Sequence, residues 1–292
     1  MKIGCLISGH PKTYYECVET FNINLKDDLQ DVYSHLWWNN SYQGKCYKMH
    51  FSEKLETRDL ANSLIENFGV KKHLIEDGKP FDTTFFQKFT KDTWGDNSER
   101  FYKVMTPIVL YGLLSQTYSA YQSYLLSSSS DYDLIIKSRP DLILTKKISS
   151  VIESLDLKED AIFFQSSVNG GHLYAGEFPN KPCDWFFLGR QNAMGRFLKG
   201  WHEEMKKVCT EGIIHTNELV KHVCNENNLE MQIADFGAHI YKQATKYHDI
   251  YHNKVEMYLD DFDSESSRPR TPSIWPYWIS DVNFEHFKNL KF

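Results

Sequence analysis

The segment Ser138-Arg139-Pro140-Asp141 brings together the two charged side chains around which chemistry can be built. It follows the apolar run YDLIIK (132–137) and precedes the apolar triplet Leu142-Ile143-Leu144. A buried strand delivers the residues at its C-terminal end to the crevice where α/β sheets take ligands. A carboxylate there, Asp141, can hold a divalent cation such as Mn2+ or Mg2+. That cation would bridge phosphate oxygens and neutralise charge developing on them. Arg139 can contact a phosphate or a ribose through its planar donor fork. The same two residues can instead pair with each other and stabilise the turn.

The elements that must position this turn follow from pattern. Residues 2–8 form a buried strand that ends in Ser8-Gly9-His10-Pro11. The spacing of Tyr14, Cys17, Val18 and Phe21 predicts a helix over 13–25. DVYSHLW (31–37) gives a second strand, and strand–loop–helix–strand is the opening of a parallel sheet. A helix over 57–68 stopped by Gly69, then a short strand over 70–75, come next. Residues 80–100 have no clean period. The clearest helix covers 101–126, with Pro107 either in its first turn or breaking it in two. YDLIIK is a central strand running on into SRPDLIL. Later strands are expected at 161–164, 184–188 and 229–233, with helices at 190–208 and from Thr216 to Asn225. The fold class is therefore α/β, a mostly parallel central sheet flanked by helices.

Composition narrows the function classes. Of the 292 residues, 41% are hydrophobic and 25% charged, the balance of a globular chain with a sizeable core. The net charge is -6 and no long Lys/Arg run exists, so a nucleic-acid backbone is not an expected partner. No stretch approaches the roughly 20 apolar residues of a membrane span. The apolar part of MKIGCLISGH is too short for a secretory leader, so a cytoplasmic location is expected. The six cysteines lack CxxC or zinc-type spacing and are read as free thiols.

The order SGHPKTY and helix, DVYSHLWW, YDLIIKSRPDLIL, DWFFLG and HTNELV resembles small bacterial and viral glycosyltransferases of the GT-A class. Those proteins have an opening Gly-x-x-Arg-like loop, a D-hydrophobic-hydrophobic-x-x-x-W strand, and an R-x-D segment in place of the usual D-x-D. The likeness spans most of residues 1–235. It implies one GT-A-like domain over 1–292, with a nucleotide-sugar-binding half (1–145) and an acceptor-side half (146–292). It also implies a nucleotide-diphosphate sugar donor, a glycan or other hydroxyl acceptor and metal assistance. Two positions depart from the pattern: Arg139 replaces the first acidic residue, and Lys12 stands where an arginine often lies.

Carried over residue by residue, Ser8, Gly9, His10 and Lys12 would lie beside the nucleotide, with Asp31 and His35 facing the base and ribose. Asp141 would be the metal ligand and Arg139 a diphosphate or ribose contact. Asp184 and Glu218 are the two candidate general bases for an acceptor hydroxyl. Glu218 also suits the first turn of a helix on dipole grounds alone. His172 and His239 can complete a metal site, and Trp185, Trp275 and Trp278 can stack on a sugar or pack in the core. Two other readings stay open. HPKTYY allows a sulfotransferase-like enzyme, although a phosphate-cradling loop wants more glycines. The missing first aspartate allows a non-catalytic carbohydrate-binding relic of the fold.

Overall fold

The computed structural model describes residues 1–11, 14–38, 57–77, 98–166, 182–210 and 216–240. The strands of the main sheet are β1 (Ile3–Gly9), β2 (Asp31–Trp38), β3 (Val70–Asp77), β4 (Leu134–Ser138), β6 (Ala161–Ser166), β7 (Pro182–Gly189) and β8 (Glu230–Ala234). Two short strands, β5 (Leu142–Leu144) and β9 (Ala238–Ile240), stand apart. The helices are α1 (Tyr14–Asn24), α2 (Thr57–Phe68), α3 (Ser98–Ser127), α4 (Ile148–Glu153), α5 (Gln191–Thr210) and α6 (Thr216–Glu226).

The seven-stranded sheet has the order β3-β2-β1-β4-β7-β6-β8. All neighbours pair in parallel except β7, which runs antiparallel to both β4 and β6. The central strands are apolar on both faces because both faces are covered. One face packs Tyr14 and Phe21 of α1, Phe68 of α2, and Ile148 and Ile152 of α4. The other packs Leu113 and Leu114 of α3, Phe197 and Trp201 of α5, and Val220 and Val223 of α6. Phe197 and Trp201 are fully buried, and truncating either to alanine would cost roughly 3–5 kcal/mol. The mostly parallel sheet with flanking helices is the architecture expected from the sequence.

Three local expectations change. YDLIIK does not continue through the turn: Leu142–Leu144 leaves the main sheet and pairs antiparallel with β9. Pro140 at the break has no N–H to give to a ladder. Helix α3 is continuous from Ser98 to Ser127, so Pro107 neither opens nor divides it. Losing one backbone bond is tolerated in a 30-residue helix whose later part, Leu113 to Ala120, is held in the core. The DWFFLG strand extends over Pro182–Gly189 and is the antiparallel member of the sheet. Gly69 ends α2 as expected, with φ +66° in the left-handed region.

Candidate functional site at the β1–β4 switch point

β1 lies between β2 and β4, so the chain winds away from it in both directions. At such a reversal the loops leaving neighbouring strands part and open a crevice at their C-terminal ends. Ile7 is the register partner of Ser138, which sets Gly9 and His10 of one loop beside Arg139 and Pro140 of the other. Ser8 is buried, while Gly9 and His10 are half-buried. Gly9 has φ +123°, a conformation strained for any residue with a Cβ, and this explains the residue type at the strand exit. The Tyr14 N–H then donates to the Pro11 carbonyl at 3.0 Å, turning the loop directly into α1. Lys12 lies outside the described residues.

Arg139 and Asp141 form a two-bond fork. Nε donates to Oδ1 and Nη2 to Oδ2, each at 2.8 Å. The Asp141 side chain is 4% exposed and that of Arg139 21%, so the carboxylate is buried and the arginine side chain only partly exposed. Helix α1 fixes the strand that follows: the Asn24 amide donates to the Leu144 carbonyl at 2.7 Å. The Leu144 N–H in turn donates to Thr20 Oγ1 at 3.1 Å.

The antiparallel direction of β7 brings its first residues to the same edge. Lys137 pairs with Phe187, so Asp184 lies beyond the end of β4, next to the Arg139 turn. Asp184 is buried, and its Oδ2 accepts from Nε2 of Gln116 on α3 at 2.6 Å. Lys137 is the residue that sequence reasoning missed. It is fully buried in an apolar strand, and its ammonium donates to the Asp184 carbonyl at 2.9 Å and to that of Trp185 at 3.4 Å. Its Nζ also lies 5.5 Å from the Phe187 ring centre and 6.0 Å from that of Trp201. Burial pushes the Lys137 amine down to about 7; Asp184 opposes this, Arg139 adds to it, and Asp141 opposes it. These four side chains form one electrostatic cluster. The available signal was a single lysine inside a run that is apolar on both faces.

Two expected contacts are placed elsewhere. Asp31 opens β2 in register with Gly4, whereas Gly9 is in register with Leu36. Five residues of strand, roughly 16 Å, therefore separate Asp31 from the crevice edge. Its carboxylate accepts from Tyr132 Oη at 2.5 Å and from Lys71 Nζ at 2.9 Å. Burial pushes Asp31 up, but those two partners outweigh it and hold the carboxyl below its ordinary value. His35 is fully buried, with Nδ1 2.8 Å from Ser119 Oγ and Nε2 2.7 Å from Glu76 Oε2. Both ring nitrogens are engaged between β3 and α3.

Glu218 is exposed in the first turn of α6. Helix α6 leads into β8, which is parallel to β6, so its N-terminal end lies at the crevice end of the sheet. Trp185 is 5% exposed and packs in the core, not on a surface. His172, Trp275, Trp278 and the side chain of His239 lie outside the described residues.

Both Asp141 oxygens accept from a guanidinium, and a cation bound there would face that positive charge. Among the described residues, no group of three or more His, Cys, Asp or Glu side chains could hold a metal ion. No helix among them is long and apolar enough to cross a membrane.

No family model and no curated protein matches the chain. Among solved structures, it is similar to the inositol-1-phosphate CTP transferase from T. maritima, at 11% identity and a TM-score of 0.42. That match covers 86% of this chain and 94% of the other. It is also similar to a protein from Bacillus anthracis, assigned as a glucose-1-phosphate thymidylyltransferase and solved in complex with a sucrose. There the identity is 10%, the TM-score 0.38, and the coverage 99% of each chain.

Proposed function

We propose that the chain is a glycosyltransferase that moves a sugar from a nucleotide-diphosphate donor to a hydroxyl of a glycan or other acceptor. The observation carrying this reading is the meeting of the Gly9–His10 and Arg139–Asp141 turns at the β1–β4 switch point, with Asp184 at the same edge. The half-buried loop would receive the nucleotide, with Lys12 in the same stretch of chain. Arg139 would meet the diphosphate with directional donors.

In the transfer, the bond from the sugar's anomeric carbon to the diphosphate oxygen breaks and a bond to the acceptor oxygen forms. The acceptor proton passes to a carboxylate, and the nucleoside diphosphate leaves with the bonding pair. Asp184 suits the base role because its carboxylate is held in place by Gln116. Glu218, exposed at the start of α6, is the alternative base.

The test is a thermal-shift panel of UDP, GDP and CMP with their sugars, with and without Mn(II), followed by assay of donor cleavage without acceptor. CTP and dTTP with a sugar phosphate form a further arm, because nucleotidyl transfer would draw on a triphosphate instead. Stabilisation by one nucleoside diphosphate, with cleavage of its sugar conjugate, is the expected result. If no nucleoside diphosphate stabilises the chain and no donor is cleaved, the reading fails.

A further inference from the structure

We infer that Lys137 is a positioning residue of the transfer site: its amine replaces a missing stretch of sheet ladder and so fixes the segment that carries Asp184. The inference rests on the nucleotide-sugar reading above, with Asp184 as base, and adds the group that aims that base.

Strand β7 lies between β4 and β6, yet part of it pairs with neither. Its ladder with β4 ends at the pair Lys137–Phe187. On the other side, Phe164 of β6 pairs with Phe187, and the next residue, Gln165, pairs with Cys183. Asp184, Trp185 and Phe186 therefore have no register partner in either neighbouring strand. Such a bulge re-aims the side chains it carries. It also leaves main-chain carbonyls without a ladder N–H, in a strand buried from Pro182 to Gly189. Buried carbonyls need another donor. The Nζ of Lys137 supplies it, at 2.9 Å from the Asp184 carbonyl and 3.4 Å from that of Trp185.

A lysine suits this task because its long stem can lie among apolar groups while its end donates. Nζ stands 5.5 Å from the ring centre of Phe187 and 6.0 Å from that of Trp201. Burial pushes the amine down to about 7. A neutral amine keeps two N–H groups, one for each carbonyl, so the hold survives loss of the charge. Asp184 is then fixed at two points, its main chain by Lys137 and its carboxylate by Gln116. Among the described residues, Lys137 Nζ donates only to main-chain oxygens, so it acts through Asp184 and not on a substrate.

The test is a double-mutant cycle in the full chain. UDP-glucose and GDP-mannose serve as donors, water replaces the acceptor, and released nucleoside diphosphate is measured. Lys137→Met keeps the length of the side chain and removes its N–H groups. It should lower kcat about tenfold or more while KM stays within about twofold. In the Asp184→Asn background the same change should cost less than about twofold, because the group it aims is gone. Lys137→Gln keeps an N–H donor on a shorter stem and should recover part of the loss. Amide hydrogen exchange over residues 182–187 should be faster in Lys137→Met than in the wild type.

An equal loss of kcat with and without the Asp184 carboxylate would make Lys137 a structural residue only and overturn the inference. Wild-type kcat in Lys137→Met would overturn it too, and in both cases the nucleotide-sugar reading stands. Full activity in Asp184→Asn removes Asp184 as base, and the inference with it. A wild type that cleaves neither donor also overturns the inference, and the thermal-shift panel then decides the nucleotide-sugar reading by itself. If Lys137→Met does not fold, Lys137→Gln enters the cycle in its place with the same outcomes.

Discussion

The Nζ of Lys137 donates to the carbonyl of Asp184 across the β4–β7 pair at 2.9 Å, so a buried amine holds the strand segment that carries a candidate base. Its titration gives the first prediction. Burial pushes Lys137 from 10.5 down to about 7. Between those values the unfolded chain binds a proton that the folded chain does not, so this residue makes stability rise with pH across the interval. Below it, the folded chain carries the buried charge at a cost on the order of a few kcal/mol. Lys137→Met should remove this slope. Urea unfolding of both proteins from about pH 6 to about pH 9 checks it; parallel pH profiles would show that the amine is not depressed.

Asp184→Asn and Glu218→Gln separate the two bases. Loss of the base should lower turnover about a hundredfold or more with little change in donor affinity. The reading favours Asp184, so Asp184→Asn should show the loss and Glu218→Gln should stay near wild type. Gln116→Leu frees the Asp184 carboxylate from its 2.6 Å partner and should lower kcat more than it changes KM. The opposite ranking of Asp184 and Glu218 would move the base to α6.

His35→Phe should act on stability alone. It removes bonds to Ser119 and Glu76 within a fully buried site and leaves both partners short of a contact. A loss of about 2 kcal/mol or more is expected by denaturant unfolding, with nucleotide affinity unchanged once the protein is folded.

Asp31 governs an acid limb. Its carboxyl is held below the ordinary value, so its contribution is present above the unfolded-chain value of 3.8 and is lost as pH falls through the lower folded value. Asp31→Asn should flatten the fall in stability below about pH 4 and leave nucleotide binding as it was. Circular dichroism through an acid titration, paired with calorimetry at neutral pH, measures both. A variant that loses nucleotide binding would move Asp31 back into the crevice.

The elements nearest the site were legible because their patterns are strong. Lys2-Ile3-Gly4-Cys5-Leu6-Ile7-Ser8 and YDLIIK are apolar runs of strand length, each ended by a turn with Gly or Pro, and both became central strands. The Arg139–Asp141 turn was legible for the same reason, and so was the option that its two charges pair. The position of Asp31 could have been reasoned further, since it opens its strand while a parallel sheet takes ligands at strand ends. His35 could not, because its partners Ser119 and Glu76 come from α3 and β3, far along the chain. The direction of β7 was equally hidden. Pro182–Gly189 is buried throughout, and a strand buried on both faces has no alternation from which its partner or sense can be read.

The switch point has a consequence for how the protein comes into being. The two turns of the crevice meet only when β1 pairs with β4, which joins Ile3 to Leu134. Closing so long a loop is entropically slow and precedes any reward from the contact. As the chain is synthesised, its first strand must therefore wait, edge open on that side, until more than a hundred further residues have been made. Ligand capacity should arise abruptly at that closure, and fragments ending before β4 should have none.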